Sequence, residues 1–100
     1  MIAILIFDIQ FMKVKICSHL EELNEIKSPE SYECSECVKT NDTWMHLRCC
    51  QTCGVVLCCD SSPNKHASTH AKEHNHQVII SAEPEERWAW CYEDEKILRY

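Results

Sequence analysis

Two pairs of cysteines, Cys34-x2-Cys37 and Cys50-x2-Cys53, stand at the spacing that brings two thiolates onto one tight turn. Zinc takes four soft or borderline ligands at tetrahedral corners, so each pair supplies half of a site. Cys58, His66, His70, His74 and His76 are the donors available to complete both. Nine cysteines and six histidines in 100 residues exceed what ordinary packing recruits. The pattern therefore predicts two Zn²⁺ ions. A rival partition fits the same letters, because Cys50-x2-Cys53-x12-His66-x3-His70 has the spacing of a Cys2His2 DNA-binding finger. In that finger Pro63 would occupy an expected apolar position, Cys58 and Cys59 would lie at the tip, and the reading face would lack arginine. A knuckle or treble-clef arrangement uses more of the donors.

Four protein ligands close a zinc site and leave no position for the water or substrate that zinc catalysis needs, so the expected role is structural. Neither His-Glu-x2-His nor His-x-Glu followed by Pro-Cys-x2-Cys occurs, and no glycine-rich phosphate loop can be built from a single glycine. The expectation is a protein that is not an enzyme. Disulfides are the competing use of cysteine in a small chain, but the count is odd and the cysteines interleave with histidines. The opening Met1-Ile2-Ala3-Ile4-Leu5-Ile6-Phe7 has no basic flank, meets Asp8 at once and is too short to span a bilayer. A reducing, cytoplasmic setting follows as the expectation, with no membrane partner. A formal charge of -6, with ten Lys and Arg scattered among sixteen acids, argues against a nucleic-acid partner. A monomer is expected.

The elements that must position these donors are short. Leu, Ile, Val and Phe number 22, seven of them within the first eleven residues, so the rest of the chain has a thin core that needs a metal staple. Residues 1–11 read as an apolar N-terminal extension or strand, ahead of a domain over 12–100. Within that domain the patterning predicts a strand over 12–16, a helix over 20–26 ended by Ser28-Pro29, and a strand over 44–48. Gly54, the only glycine, closes the second knuckle where a left-handed turn is cheapest, and Val55-Val56-Leu57 then reads as a strand. After a turn-forming loop at 60–64, residues 66–74 read as a helix with His66, His70 and His74 on one face. Val78-Ile79-Ile80 is a strand, 83–86 an acidic turn, and 88–92 a period-two stretch that ends the domain. The fold class is a small zinc-stabilised α+β domain with a short, mainly antiparallel sheet and one or two helices.

Over residues 17–95 the chain resembles the UBP-type zinc finger, a module of ubiquitin-specific proteases and one histone deacetylase. The resemblance rests on Cys17-Ser18-His19, Cys34-x2-Cys37, Trp44, Cys50-x2-Cys53-Gly54, Cys58, His66-Ala67-x2-His70, His76 before Val78, and Trp90-Cys91-Tyr92. The run from Cys58 to Asn64 followed by His66 looks most like small stand-alone bacterial versions. The resemblance implies an interleaved ligand assignment. Cys34, Cys37, Cys58 and His66 would hold one zinc, and Cys50, Cys53, His70 and His76 a second. Family members with a third zinc imply a further site at Cys17, His19 and Cys91, with Asp94 standing where the last cysteine belongs.

In that family the fold offers a pocket to the free C-terminal Gly-Gly of ubiquitin, with aromatic walls and an arginine for the carboxylate. Trp44 and Tyr92 match aromatic positions, and Trp90 precedes the matching Cys91; the same aromatics also suit a thin core. Where eukaryotic members read Cys-Gly-Arg, this chain reads Cys58-Cys59-Asp60, an acid where a carboxylate ligand calls for a cation. That departure argues against ubiquitin and leaves Arg48 as the substitute cation. The expectation is an interaction module that binds a protein tail or small partner through Trp44, Arg48, Trp90 and Tyr92. A second reading is a thiol or zinc redox sensor in which Cys49, Cys59 and Cys91 release metal on oxidation.

Overall fold

The computed structural model describes residues 17–100, so the segment 1–11 and the strand expected over 12–16 lie outside the described residues. Val78-Ile79-Ile80-Ser81 is β3, a run dominated by β-branched side chains that fit a pleated surface, and all four residues are buried. Around it are built β1 (Leu47–Cys50), β2 (Val56–Cys58), β4 (Trp88–Cys91) and β5 (Lys96–Arg99), in the antiparallel order β2-β1-β3-β4-β5. Among the described residues, two single-turn helices, α1 (Ser18–Glu21) and α2 (Cys37–Thr40), and the longer α3 (His66–His74) accompany the sheet. The class is the expected small α+β domain.

Register sorts the side chains into two cross-strand rows. Val56, Cys49, Ile80, Ala89 and Leu98 are successive neighbours across all five strands, and they join Leu20, Leu47 and the cysteines 34, 37, 58 and 91 in the core. On the alternate positions Cys50, Ile79, Trp90 and Ile97 form the other row. α3 packs on β1 and β2 and turns Ala67 and Ala71 inward, while α1 packs on β4. Cysteine thus makes up about a third of the core, in keeping with the small apolar content of this part of the chain.

Three local expectations differ from the structure. The helix expected over 20–26 is only Ser18–Glu21. Just past the expected span, the Lys27 backbone is held by another segment: its N–H donates to Gln51 Oε1 at 2.8 Å while Gln51 Nε2 donates back to Lys27 O at 3.0 Å. The strand expected over 44–48 starts later, at Leu47, since the Met45 N–H is taken by Ser62 Oγ at 2.8 Å rather than by a neighbouring strand. The stretch over 88–92 does not end the domain. It turns through residues 92–95, with Glu95 in the left-handed region (φ 54°) and its N–H donating to Cys91 O at 2.8 Å, and returns as β5.

Gly54 has φ 83°, and its N–H donates to Cys50 O at 2.7 Å, closing the knuckle. A methyl at this position would meet no atom within 4 Å, so any cost of Gly54→Ala is backbone cost. We expect a loss of about 1–2 kcal/mol for Gly54→Ala and less for Gly54→Asn, read from denaturant midpoints at saturating zinc. Equal midpoints for all three proteins would contradict the strained-turn account.

Candidate metal centres and an adjoining groove

Each donor of the first cluster comes from a different place in the fold. Cys34 and Cys37 flank the turn into α2, Cys58 ends β2, and His66 opens α3. The Nδ1 of His66 lies 3.4 Å from Cys34 Sγ, 3.4 Å from Cys37 Sγ and 3.5 Å from Cys58 Sγ, with Cys37 and Cys58 sulfurs 3.9 Å apart. A tetrahedral zinc with its usual bonds has sulfur–sulfur edges of about 3.8 Å and sulfur–nitrogen edges of about 3.5 Å. The four atoms therefore stand at the corners such an ion requires. Amide N–H groups of Cys37 and His66 point to Cys34 Sγ (3.4 Å) and Cys58 Sγ (3.3 Å), where they stabilise thiolate charge. Burial alone would raise the Cys34 thiol, but the Cys37 amide and thiol, the Glu36 amide and His66 outweigh it and bring Cys34 down to about 7. Burial and the neighbouring Cys34 push Cys37 up to about 12. One thiolate forms readily here; three need a cation among them.

The second cluster gathers Cys50 from the end of β1, Cys53 from the knuckle, His70 from α3 and His76 from just beyond its C-terminus. Cys50 Sγ is 3.5 Å from His76 Nδ1, Cys53 Sγ is 3.4 Å from His70 Nε2, and the two imidazole nitrogens are 3.2 Å apart. The expected tetrahedral nitrogen–nitrogen edge is about 3.3 Å. Burial and the adjacent His74 and His76 lower the His70 pKa, which favours the neutral ring that binds a metal. Cys53 is exposed, so this cluster is more open than the first. His74 stacks against His70 with ring centroids 4.6 Å apart but contributes no donor to the cluster. Although His66 and His70 are one helical turn apart, they serve different clusters, which rules out the single-finger partition Cys50, Cys53, His66, His70.

Cys17, His19, Cys91 and Asp94 form a third cluster that ties α1 to the hairpin of β4 and β5. His19 Nδ1 lies 3.1 Å from Asp94 Oδ2 and 3.5 Å from Cys91 Sγ, and Cys91 Sγ lies 3.9 Å from the same carboxylate oxygen. Glu93 Oε2 is 3.2 Å from His19 Nε2, the arrangement by which a carboxylate fixes the tautomer of a metal-binding histidine. Glu93 carried no signal in the sequence, since it sits in an acidic run. Burial and the nearby Cys91 and Asp94 push the Cys17 thiol up to about 11, although the Leu20 amide opposes them.

Beside the clusters, Arg48, Trp90 and Tyr92 line one groove of about 270 Å³ together with Asp60, Trp88 and Ile97. Trp44 lies elsewhere, in a separate depression with Val38 and residues 41–43. The Arg48 guanidinium lies over Trp88, its central carbon 4.7 Å from the ring centroid, and Nη1 donates to Leu47 O at 3.0 Å. Trp88 was not singled out in the sequence; its place two residues before Trp90 on one strand was the available signal. Burial and the Asp60 charge raise the Tyr92 pKa, with Arg48 opposing, so the phenol stays protonated as a donor. Cys49 is buried and directed at the Lys27 and Gly54 carbonyl oxygens (3.4 and 3.5 Å), with its thiol pushed up to about 11 mainly by burial. Cys59 is also buried, and despite that burial Ser62 with the Ser61 and His46 backbones brings it down to about 7.

Metal content distinguishes the clusters. Elemental analysis should give three zinc ions per chain, falling to two in His19→Ala with the sheet retained. Cys58→Ser should unfold the domain, because the roughly 10–16 kcal/mol of a structural zinc matches or exceeds the net stability of a domain this size. A folded Cys58→Ser protein with full zinc content would overturn the assignment of the first cluster.

The comparisons with known proteins agree with this geometry. Residues 34–99 match the family described as the Zn-finger in ubiquitin-hydrolases and other protein. A protein of Rhodopseudomonas palustris solved in solution by NMR is 42% identical, with a TM-score of 0.73 over 83% of this chain and 80% of its own. No curated protein matches the chain. With two thirds of its residues inside the family match and three clusters of four metal-ligand side chains at the positions described, the chain belongs to the UBP-type zinc-finger family, a zinc-binding fold.

Proposed function

We propose that this chain is a non-catalytic recognition module in which zinc holds the scaffold and the groove takes the free carboxyl end of a partner polypeptide. One observation carries the reading: Arg48, its guanidinium over Trp88, lines a groove together with Trp90 and Tyr92. A planar guanidinium held in place is suited to bidentate recognition of a carboxylate, and the aromatics bury the tail that leads to it. Each of the first two clusters supplies four protein donors to its ion, which supports scaffolding over catalysis. Asp60 in the groove supports a partner other than the ubiquitin C-terminus. The charge of -6 favours a protein over a nucleic acid, and among the described residues no helix is long and apolar enough to cross a membrane. We place the module in the cytoplasm, where reduced thiols keep their metals, and as a monomer.

The test is a titration of the zinc-loaded chain, followed by tryptophan fluorescence, with acetyl-Ala-Ser-Gly-Gly as free acid and as amide. The acid should bind at least about tenfold more tightly, and Arg48→Ala should remove that difference. Trp90→Ala should weaken the acid further, whereas Trp44→Ala should change it less than about twofold, as expected of a side chain outside the groove. Equal binding of acid and amide would sink the carboxylate reading.

A further inference from the structure

The groove contains two opposite charges that do not neutralise each other. Arg48 enters it from β1 and Asp60 from the loop after β2, yet no ion pair joins them among the described residues. Each is held from behind. Arg48 rests on Trp88 and donates to Leu47 O, while Asp60 Oδ1 accepts from Ser68 Oγ on α3 at 2.6 Å. These bonds keep the two groups from collapsing onto one another, so the guanidinium and the second carboxylate oxygen both remain available to a ligand. The volume of about 270 Å³ lies at the small end of ligand sites, which suits the last residues of a chain rather than a folded surface.

We infer that the groove selects polypeptide C-termini bearing a lysine or arginine at the last or penultimate position, with the terminal carboxylate on Arg48 and the side-chain cation on Asp60. The inference rests on the tail-binding reading and narrows it. A neutral tail engages only the Arg48 end. An acidic side chain at the same position meets Asp60 as a like charge and is disfavoured, so discrimination is set by repulsion as well as attraction. The aromatic groove residues Trp90 and Tyr92 also suit a long aliphatic stem that ends in a cation.

The experiment uses the whole zinc-loaded chain and two pairs of peptides with free carboxyl ends. One pair is acetyl-Ala-Ser-Lys-Gly and its norleucine counterpart, the other acetyl-Ala-Ser-Gly-Lys and its norleucine counterpart. Norleucine keeps the stem and removes the charge. In at least one pair the lysine peptide should bind about fivefold more tightly at low salt, with the gain shrinking as salt rises. In Asp60→Asn, which retains an oxygen for Ser68, the lysine-to-norleucine ratio should fall to about one, with zinc content and circular dichroism checking that the fold persists. Equal affinity for lysine and norleucine in both pairs, or a preference that survives Asp60→Asn, overturns the inference. If the norleucine peptides bind as acids and not as amides while lysine adds nothing, the tail-binding reading stands and this narrowing of it falls. If no peptide binds, both fall.

Discussion

The requirement that four donors converge on one cation is the constraint from which the rest of the fold follows. α3 carries His66 to the first cluster and His70 to the second, so one helix joins two different clusters. The first cluster thereby locks α2 and the end of β2, and the second locks the end of β1 and the chain entering β3. A third cluster holds α1 against the hairpin of β4 and β5. At roughly 10–16 kcal/mol for a structural zinc, metal at these clusters would supply what a core of Leu20, Leu47, Leu57, Ile80 and a few small side chains does not.

The groove adjoins those clusters along the chain. Arg48 lies two residues before Cys50 and Asp60 two after Cys58, while Trp90 and Tyr92 flank Cys91. Every one of these side chains is within two positions of a clustered cysteine, which limits how far its backbone can move. A groove built this way is preorganised at little further cost in ordering, so that even a small domain can hold a cation, an anion and aromatic walls together.

The two cysteines outside the clusters have different surroundings. Cys49 points at two carbonyl oxygens in the core, a setting that keeps a thiol protonated. Cys59, although buried, sits among hydrogen-bond donors beside the groove. Neighbouring positions in sequence give no hint of this contrast, because the difference arises from what other segments bring to each sulfur.

The sequence by itself determined the donors, their pairing into knuckles, the helix of residues 66–74 and the buried strand at 78, because metal spacing, helical period and β-branched runs are local properties of the chain. It also contained the family resemblance that sorted the ligands. The tertiary structure alone decided which side chains share the groove. Trp44 and Trp90 are alike as residues and both half-buried, but only Trp90 lies on the cross-strand row with Ile97, and β5, which brings Ile97 there, follows an acidic turn with no glycine to mark it. Gln51 is a further case, a polar residue inside a metal knuckle whose amide pairs with the Lys27 backbone 24 positions away. Contacts between segments distant in sequence depend on strand order and register, and neither leaves a periodic trace in the residues that make them.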